Sequence, residues 1–251
     1  MLLSDADPLT ISHQQAQLRV TRAAQRTVLG LWSLMDFYRL DESAQVWLPL
    51  ATKSILDARY QSALLSAVYY SALRIEQVGE PVANAAGMIV RGGTAVPATT
   101  LVPDEQVVER VASALRITGP VTVKRAVSNG MGQPAAMERG LGRVLGAVQR
   151  QVLDGGRQTT GALLNMEPTT TYYQRVASAG ACKFCDMLAS RGPVYTARTG
   201  DFSAHDSCGC TIEPKFRGTK KRRSRGSGYG RRQWTEYQNV APLTGPSLPV
   251  T

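Results

Sequence analysis

Apolar positions recur with helical spacing through the first two thirds of the chain. Val20, Ala24, Val28, Leu31 and Met35 follow one another at steps of three or four, which places them on one face of an amphipathic helix. A longer run follows at Leu48, Ala51, Ile55, Ala58, Ser62, Leu65, Tyr69 and Ala72. Its steps alternate between three and four throughout, as a helix–helix seam requires. Many of those seam residues are small, so a partner helix is expected to approach closely. Pro49 lies near the predicted start, where proline is tolerated, and Gly79 and Pro81 are expected to end the helix.

Residues 82–101 are rich in Ala, Gly, Thr and Pro and are predicted to form a loop. Pro103-Asp104-Glu105 then opens a helix with its acidic residues at the positive end, and Val107, Val111 and Leu115 form its apolar stripe. Thr118-Gly119-Pro120 predicts a turn, and the short segment up to Asn129-Gly130 is compatible with helix. Met137, Leu141, Val144, Leu145, Val148 and Val152 define another amphipathic helix, which Asp154-Gly155-Gly156 is expected to interrupt or end.

The character changes after Asn165. Thr169-Thr170-Thr171-Tyr172-Tyr173 is β-branched and aromatic and predicts a strand, with Val194-Tyr195-Thr196 and Thr211-Ile212 as further short strands. Cys182 to Ser190 suits a short helix between them. The pattern therefore predicts a mainly α protein in three parts. Residues 1–165 form a helical body, 166–214 a small Cys/His-containing α+β module, and 215–251 a disordered tail that is basic and proline-containing.

Charge sharpens this division. The chain has 251 residues, 29 Lys+Arg and 19 Asp+Glu, a formal net charge of +10. Nine of the basic residues fall between Lys215 and Arg232, with no acidic residue among them, which leaves 20 basic and 19 acidic residues elsewhere. The body is close to neutral, so its recognition is expected to rest on helix packing. Lys220, Lys221, Arg222, Arg223 and Arg225 are dense enough to displace counterions from a phosphate backbone, and Tyr229 and Trp234 could stack on bases. The competing view is a solvated connector whose charge keeps it extended. Nothing around the run suggests sequence readout.

The first residues, Met1-Leu2-Leu3-Ser4-Asp5-Ala6-Asp7, lack a basic segment followed by an apolar one, so no secretory signal is expected. The longest apolar stretch, Ala63 to Leu73, is broken by Ser66 and Ser71 and is too short to span a bilayer. A soluble protein in a reducing compartment is the expectation. In that setting clustered cysteines are more often metal-binding or redox-active than a disulfide framework.

All four cysteines lie between Cys182 and Cys210. The pattern is Cys182-x2-Cys185, then 19 residues, then His205-x2-Cys208-x-Cys210. Two local ligand pairs about twenty residues apart are how a structural zinc site is usually encoded, because each pair fixes two corners of the tetrahedron that Zn2+ prefers. Gly209 would let the backbone bend tightly around a metal. Cys182, Cys185, His205, Cys208 and Cys210 are five candidates for four positions, so either His205 or one of Cys208 and Cys210 is left over. Unmetallated buried thiols, or a redox pair at Cys182 and Cys185, are the alternatives.

Hydrolytic chemistry has little support in the residues. Only two histidines occur, His13 and His205. His13 lies on a predicted helix and is expected to be exposed, so a catalytic histidine would have to be His205, which Asp201 and Asp206 flank. There is no Gly-x-Ser-x-Gly elbow and no paired-carboxylate pattern.

The string from Val176 to Gly192, with Cys182-Lys183-Phe184-Cys185 at its centre, followed by His205-Asp206-Ser207-Cys208-Gly209-Cys210, resembles the C-terminal module of MuF-like phage minor head proteins. It is most similar to the actinobacteriophage group labelled capsid maturation protease or MuF-like minor capsid protein. The specific likeness covers residues 176–192 and 205–210, and the rest of the chain is similar only in general pattern. That family has a C-x-x-C followed by an H-x-x-C-x-C ending, which falls here on Cys182/Cys185 and His205/Cys208/Cys210. The resemblance implies head assembly beside the portal protein. It also implies contacts with major capsid or scaffold protein, residence in the host cytoplasm during assembly and then in the procapsid or virion head, and no membrane. The basic tail would face packaged DNA or an acidic scaffold. The protease label implies His205 as the catalytic residue, with a Cys or Ser nucleophile, although no catalytic set in this chain matches a protease motif.

Overall fold

The computed structural model of the chain describes residues 6–79, 88–91, 94–97, 104–166, 172–196, 202 and 204–216. The protein is mainly helical, with a small strand-containing Cys/His region near its C-terminal side. Helix α1 spans Pro8–Leu31 and is capped by Asp7, whose side chain accepts from the Leu9 N–H. Two 3-10 turns, Trp32–Leu34 and Phe37–Arg39, reverse the chain into α2, Leu40–Val78. The hairpin β1 (Met88–Arg91) and β2 (Thr94–Pro97) precedes α3, Glu105–Arg116. A π-helical turn at Ile117–Val121 leads directly into α4, Thr122–Ser128. Helix α5, Gln133–Met166, crosses the whole body. Strand β3 (Tyr172–Val176), helix α6 (Lys183–Ala189) and strand β4 (Thr211–Lys215) complete the described fold.

The long helices α1, α2 and α5 pack against one another along their lengths. At one end Val28, Trp32, Trp47, Ile55, Val111, Leu115, Val144 and Val148 form an apolar core. Trp32 meets Trp47 edge to face at 5.3 Å. At the other end Leu9, Leu65, Tyr69, Tyr70, Leu73 and Leu163 enclose Tyr173, Ile212 and Phe216. The strand pair is thereby seated on the helical body. β3 and β4 are antiparallel, with Arg175 opposite Ile212 and Tyr173 opposite Pro214. Tyr173 spends its N–H and C=O on Tyr195, on its other side, so the missing N–H of Pro214 leaves no gap in the ladder.

The helical faces read from the sequence are the buried ones. Ala51, Ile55, Ser62, Tyr69 and Ala72 are all fully buried. The Asp104 cap and the Val111/Leu115 stripe of α3 are as expected. The short strands at Tyr172 and Thr211 and the short helix after Cys182 are present, the strand expected at 194–196 is a single bridge from Tyr195 to Tyr173, and 169–171 lie outside the described residues.

Several elements differ from expectation. The hairpin β1–β2 falls inside the segment expected to be loop. Helix α2 starts at Leu40, so Pro49 is interior. It is tolerated because Pro49 and Gln45, one turn before it, are exposed, and water can take the Gln45 carbonyl that proline leaves unbonded. Thr118-Gly119-Pro120 is a π-helical turn that keeps the chain helical, with Gly119 packed under Trp47 and Val144.

Asp154-Gly155-Gly156 does not break α5. A Cβ on Gly155 would lie 2.3 Å from the Arg59 carbonyl oxygen, and one on Gly156 would lie 2.4 Å from Ser66 Oγ. These glycines serve a close helix crossing, and the burial gained by close packing outweighs their poor helix propensity.

His13 is 2% exposed, contrary to expectation. Its ring stacks on Tyr69 at 4.1 Å, and Nε2 lies 3.0 Å from both Ser66 Oγ and Gln17 Nε2. Lys215 and Phe216 also depart from the expected tail. Lys215 pairs with Tyr172 in the sheet and Phe216 is buried against Tyr70. The rest of the tail, with Lys220, Lys221, Arg222, Arg223 and Arg225, lies outside the described residues.

Candidate metal centre

Four local devices bring the cysteines and His205 together. The first is the turn Ser178–Ala181, which delivers the chain to α6; Cys182 caps that helix and its Sγ accepts from the Cys185 N–H at 3.5 Å. This makes Cys182-x2-Cys185 a knuckle with both sulfurs on one side. The second is the tight turn at Asp206-Ser207, where Ser207 has φ of 65° and donates its N–H to the Gly146 carbonyl. The third is Gly209. A Cβ there would lie 2.7 Å from Ser178 Oγ, so only glycine lets the Cys208–Cys210 segment lie this close to the knuckle. The fourth is α5, whose residues Gly146, Arg150 and Arg157 recur at helical spacing along the loop. Gly146 makes room for Ser207, Arg150 pairs with Asp206 at 2.8 Å, and Arg157 reaches the two cysteine carbonyls.

Arg157 is the most connected of these. It is 6% exposed. Its Nη2 donates to the carbonyls of Cys208 (2.8 Å) and Cys210 (2.9 Å) and lies 3.7 Å from Cys208 Sγ. Nε donates to the Cys210 carbonyl, and Nη1 pairs with Asp154. The guanidinium also lies 5.1 Å from the centre of the Phe202 ring, and Arg175 covers that ring at 3.9 Å. Nothing in the sequence pattern singled out Arg157. The available signal was a charged residue, three after Asp154, in a helix segment otherwise made of small and uncharged residues.

The five donors meet in two groups that share Cys185. One is Cys182, Cys185 and His205, and the other is Cys185, Cys208 and Cys210; either could hold a metal ion. His205 Nε2 lies 3.1 Å from Cys182 Sγ and 3.6 Å from Cys185 Sγ, and Cys185 Sγ lies 3.6 Å from Cys208 Sγ. With Zn–S bonds of about 2.3 Å, the edge of a tetrahedral thiolate site is about 3.8 Å. The separations along this chain of donors therefore suit such a site. No four donors among the described residues lie mutually within 4.8 Å, so a single ion would draw the two groups together around Cys185.

The electrostatics follow from the same contacts. The Cys182 thiol is held down at about 7, first by the Cys185 N–H and then by His205. Cys208 is held lower, at about 4, chiefly by the hydrogen bond from the Cys210 thiol, with Arg157 adding to it against the cost of burial. Cys185 is pushed up to about 11 by burial, and Cys210 is pushed up by its donor role toward Cys208. His205 is raised by the Asp206 carbonyl and then by Cys182.

As a catalytic histidine, His205 has limited surroundings. Its Nδ1 faces the backbone carbonyl of Asp206 at 2.6 Å, while the Asp206 carboxylate is committed to Arg150. Asp201 lies outside the described residues. No serine or threonine hydroxyl among the described residues bonds to His205. The Ser66–His13 contact has hydrogen-bonded Ser–His chemistry, but it is sealed in the core, and burial holds His13 at about 3.

No helix among the described residues is long and apolar enough to cross a membrane. No curated protein and no solved structure matches the chain. The family model described as VG15 protein matches residues 9–240, which takes in both the helical body and the Cys/His region; the chain belongs to this family of phage proteins.

Proposed function

We propose that the protein is a phage head-morphogenesis protein of the MuF-like minor capsid type, acting at the portal or procapsid during virion assembly, and that its Cys/His region is a zinc-stapled module. Membership of a phage family supports the setting at a coarse level. The observation that carries the module is the convergence of Cys182, Cys185, His205, Cys208 and Cys210, pinned to α5 through Arg157. Bound there, Zn2+ would cross-link the knuckle to the Cys208–Cys210 segment, and the chemistry of the set, four thiols and one imidazole, is what zinc prefers.

In this account residues 1–165 are the interaction body, 166–216 the module, extended past 214 by Lys215 and Phe216, and 217–251 an appendage. Portal protein and major capsid or scaffold protein are the proposed partners. The virion head or procapsid, reached from the host cytoplasm, is the proposed location. Lys220, Lys221, Arg222, Arg223 and Arg225 would touch packaged DNA. Deleting 217–232, which spares Lys215 in the sheet and the buried Phe216, tests that contact: salt-sensitive binding to duplex DNA should disappear.

A second reading, capsid maturation protease, is favoured by one contact, the exposed Cys182–His205 pair at 3.1 Å. Co-expression with the phage's capsid and scaffold proteins separates the two. A morphogenetic protein leaves both at full length and co-purifies with the portal. A protease trims one of them, and His205→Ala and Cys182→Ala each abolish the trimming.

A further inference from the structure

A second site lies in the helical body, away from the cysteines. Helices α2, α3 and α5 enclose a cavity of about 200 Å3 that opens to solvent, lined by Leu56, Val107 and Ala162 and by Arg59, Gln158 and Asp104. An apolar cavity of about 150 Å3 already accommodates a benzene ring. Arg59 is the unusual member. It is 8% exposed, and among the described residues no carboxylate lies within ion-pair distance of it, although Asp154 and Asp104 act on it favourably, and Arg110 unfavourably, from further away.

Among the described residues its guanidinium bonds to neutral acceptors, the Gln151 carbonyl through Nη1 (2.7 Å) and Gln158 Oε1 through Nη2 (2.5 Å). Three of its five N–H groups remain beyond those two bonds. The nearby acids are engaged elsewhere: Asp154 pairs with Arg157, and Asp104 caps α3 by accepting from the Val107 N–H at 2.7 Å. A buried charge whose nearest acids are shared with other groups is costly unless something compensates it directly. The position is also fixed, because Gly155 packs directly on the Arg59 backbone.

We propose that this cavity binds a singly charged carboxylate carried on an apolar group, with the carboxylate on Arg59 and the apolar group against Leu56, Val107 and Ala162. Guanidinium and carboxylate match as a planar two-point pair. Arg59, Arg110 and Arg157 set against Asp104 and Asp154 leave one positive charge around the cavity, which one carboxylate balances and a doubly charged phosphate would exceed. The carboxylate could belong to a free acid or to the end of a peptide chain, and two probes distinguish them.

The full-length protein would be titrated with benzoate and with N-acetyl-leucine, each beside its neutral amide, benzamide and N-acetyl-leucinamide, by NMR or calorimetry. Saturable binding of either acid, weakened roughly tenfold or more in its amide, is expected from the loss of a charge-assisted pair. Preference for N-acetyl-leucine would assign a chain terminus, and preference for benzoate a free acid. Arg59→Gln should weaken the acid to the level of its amide. Ala162→Phe fills the cavity without touching the charge and should abolish binding of both, which covers the case in which Arg59→Gln does not fold. Absence of saturable binding by either acid, equal binding of acid and amide, or binding unaffected by Ala162→Phe would overturn the proposal.

Discussion

The two ends of the helical body are built on different principles, although the same three helices run through both. Around Trp32, Trp47, Ile55, Leu115 and Val144 the core is apolar. At the other, polar end the apolar cluster of Leu9, Leu65, Tyr70, Leu73 and Leu163 is joined by a buried polar network of His13, Gln17, Ser62 and Ser66: Gln17 donates to the Ser62 carbonyl at 2.8 Å and accepts from Ser62 Oγ at 2.5 Å. Apolar packing is non-directional and accepts many partners of suitable shape. A buried hydrogen-bond network accepts only one register, because a half-satisfied network is heavily penalised. The Cys/His module sits at the polar end. Gln14 reaches the carbonyls of Val176 and Gly209, and Thr211 reaches His13. The polar network thus fixes where the module sits, while apolar burial stabilises both ends.

Breaking each end should separate these roles. The largest effect is expected at the apolar end. Trp47→Ala removes a fully buried indole and should cost about 3–5 kcal/mol in denaturant unfolding, while metal uptake by the folded fraction stays unchanged. Arg157→Gln should act the other way. Unpairing the Cys208 and Cys210 carbonyls should cost about 1–3 kcal/mol in all, because glutamine can still donate to one of them, and metal affinity, measured by chelator competition, should fall about 10–100-fold.

A smaller effect should appear with pH. Burial lowers His13 from its ordinary 6.5 to about 3, so the folded protein keeps it neutral where the unfolded chain protonates. Its contribution to stability is complete above pH 6.5. That contribution is lost as pH falls from there toward 3, by up to about 1.4 kcal/mol per pH unit. His13→Gln should remove that slope, visible as the difference between the two unfolding-versus-pH curves. The smallest effect is expected for the exposed pair Lys124–Asp41, where Lys124→Ala should change stability by about 0.5 kcal/mol or less. A larger loss there would mean that the apolar end depends on charge.

The same contrast explains what the sequence disclosed. The apolar end was legible because periodicity reports burial directly. Val28, Val111 and Val144 lie on the faces their spacing assigned. At the polar end the stripe of α1 continues through Thr10, Gln14, Gln17 and Thr21 at the same three-and-four spacing, but in uncharged polar residues. An apolar count passes over these, and His13 with them. The cysteines and His205 were legible because ligand spacing is local. Arg157 was not, because its role depends on which helix face meets the Cys208–Cys210 segment, and only the tertiary fold sets that. Gly155-Gly156 resembled a break because local propensity argues for one, and the close crossing with Arg59 and Ser66 overrode it.

The central claim is that the Cys/His region is a metal-stapled module seated on the helical body. Elemental analysis of the purified, folded full-length chain, paired with thiol titration before and after chelation, tests it most directly. One zinc per chain is predicted, with Cys185, Cys208 and Cys210 unreactive until the metal is removed and all four thiols titratable afterwards. A folded chain that contains no metal, or whose thiol reactivity is unchanged by chelation, would contradict the account.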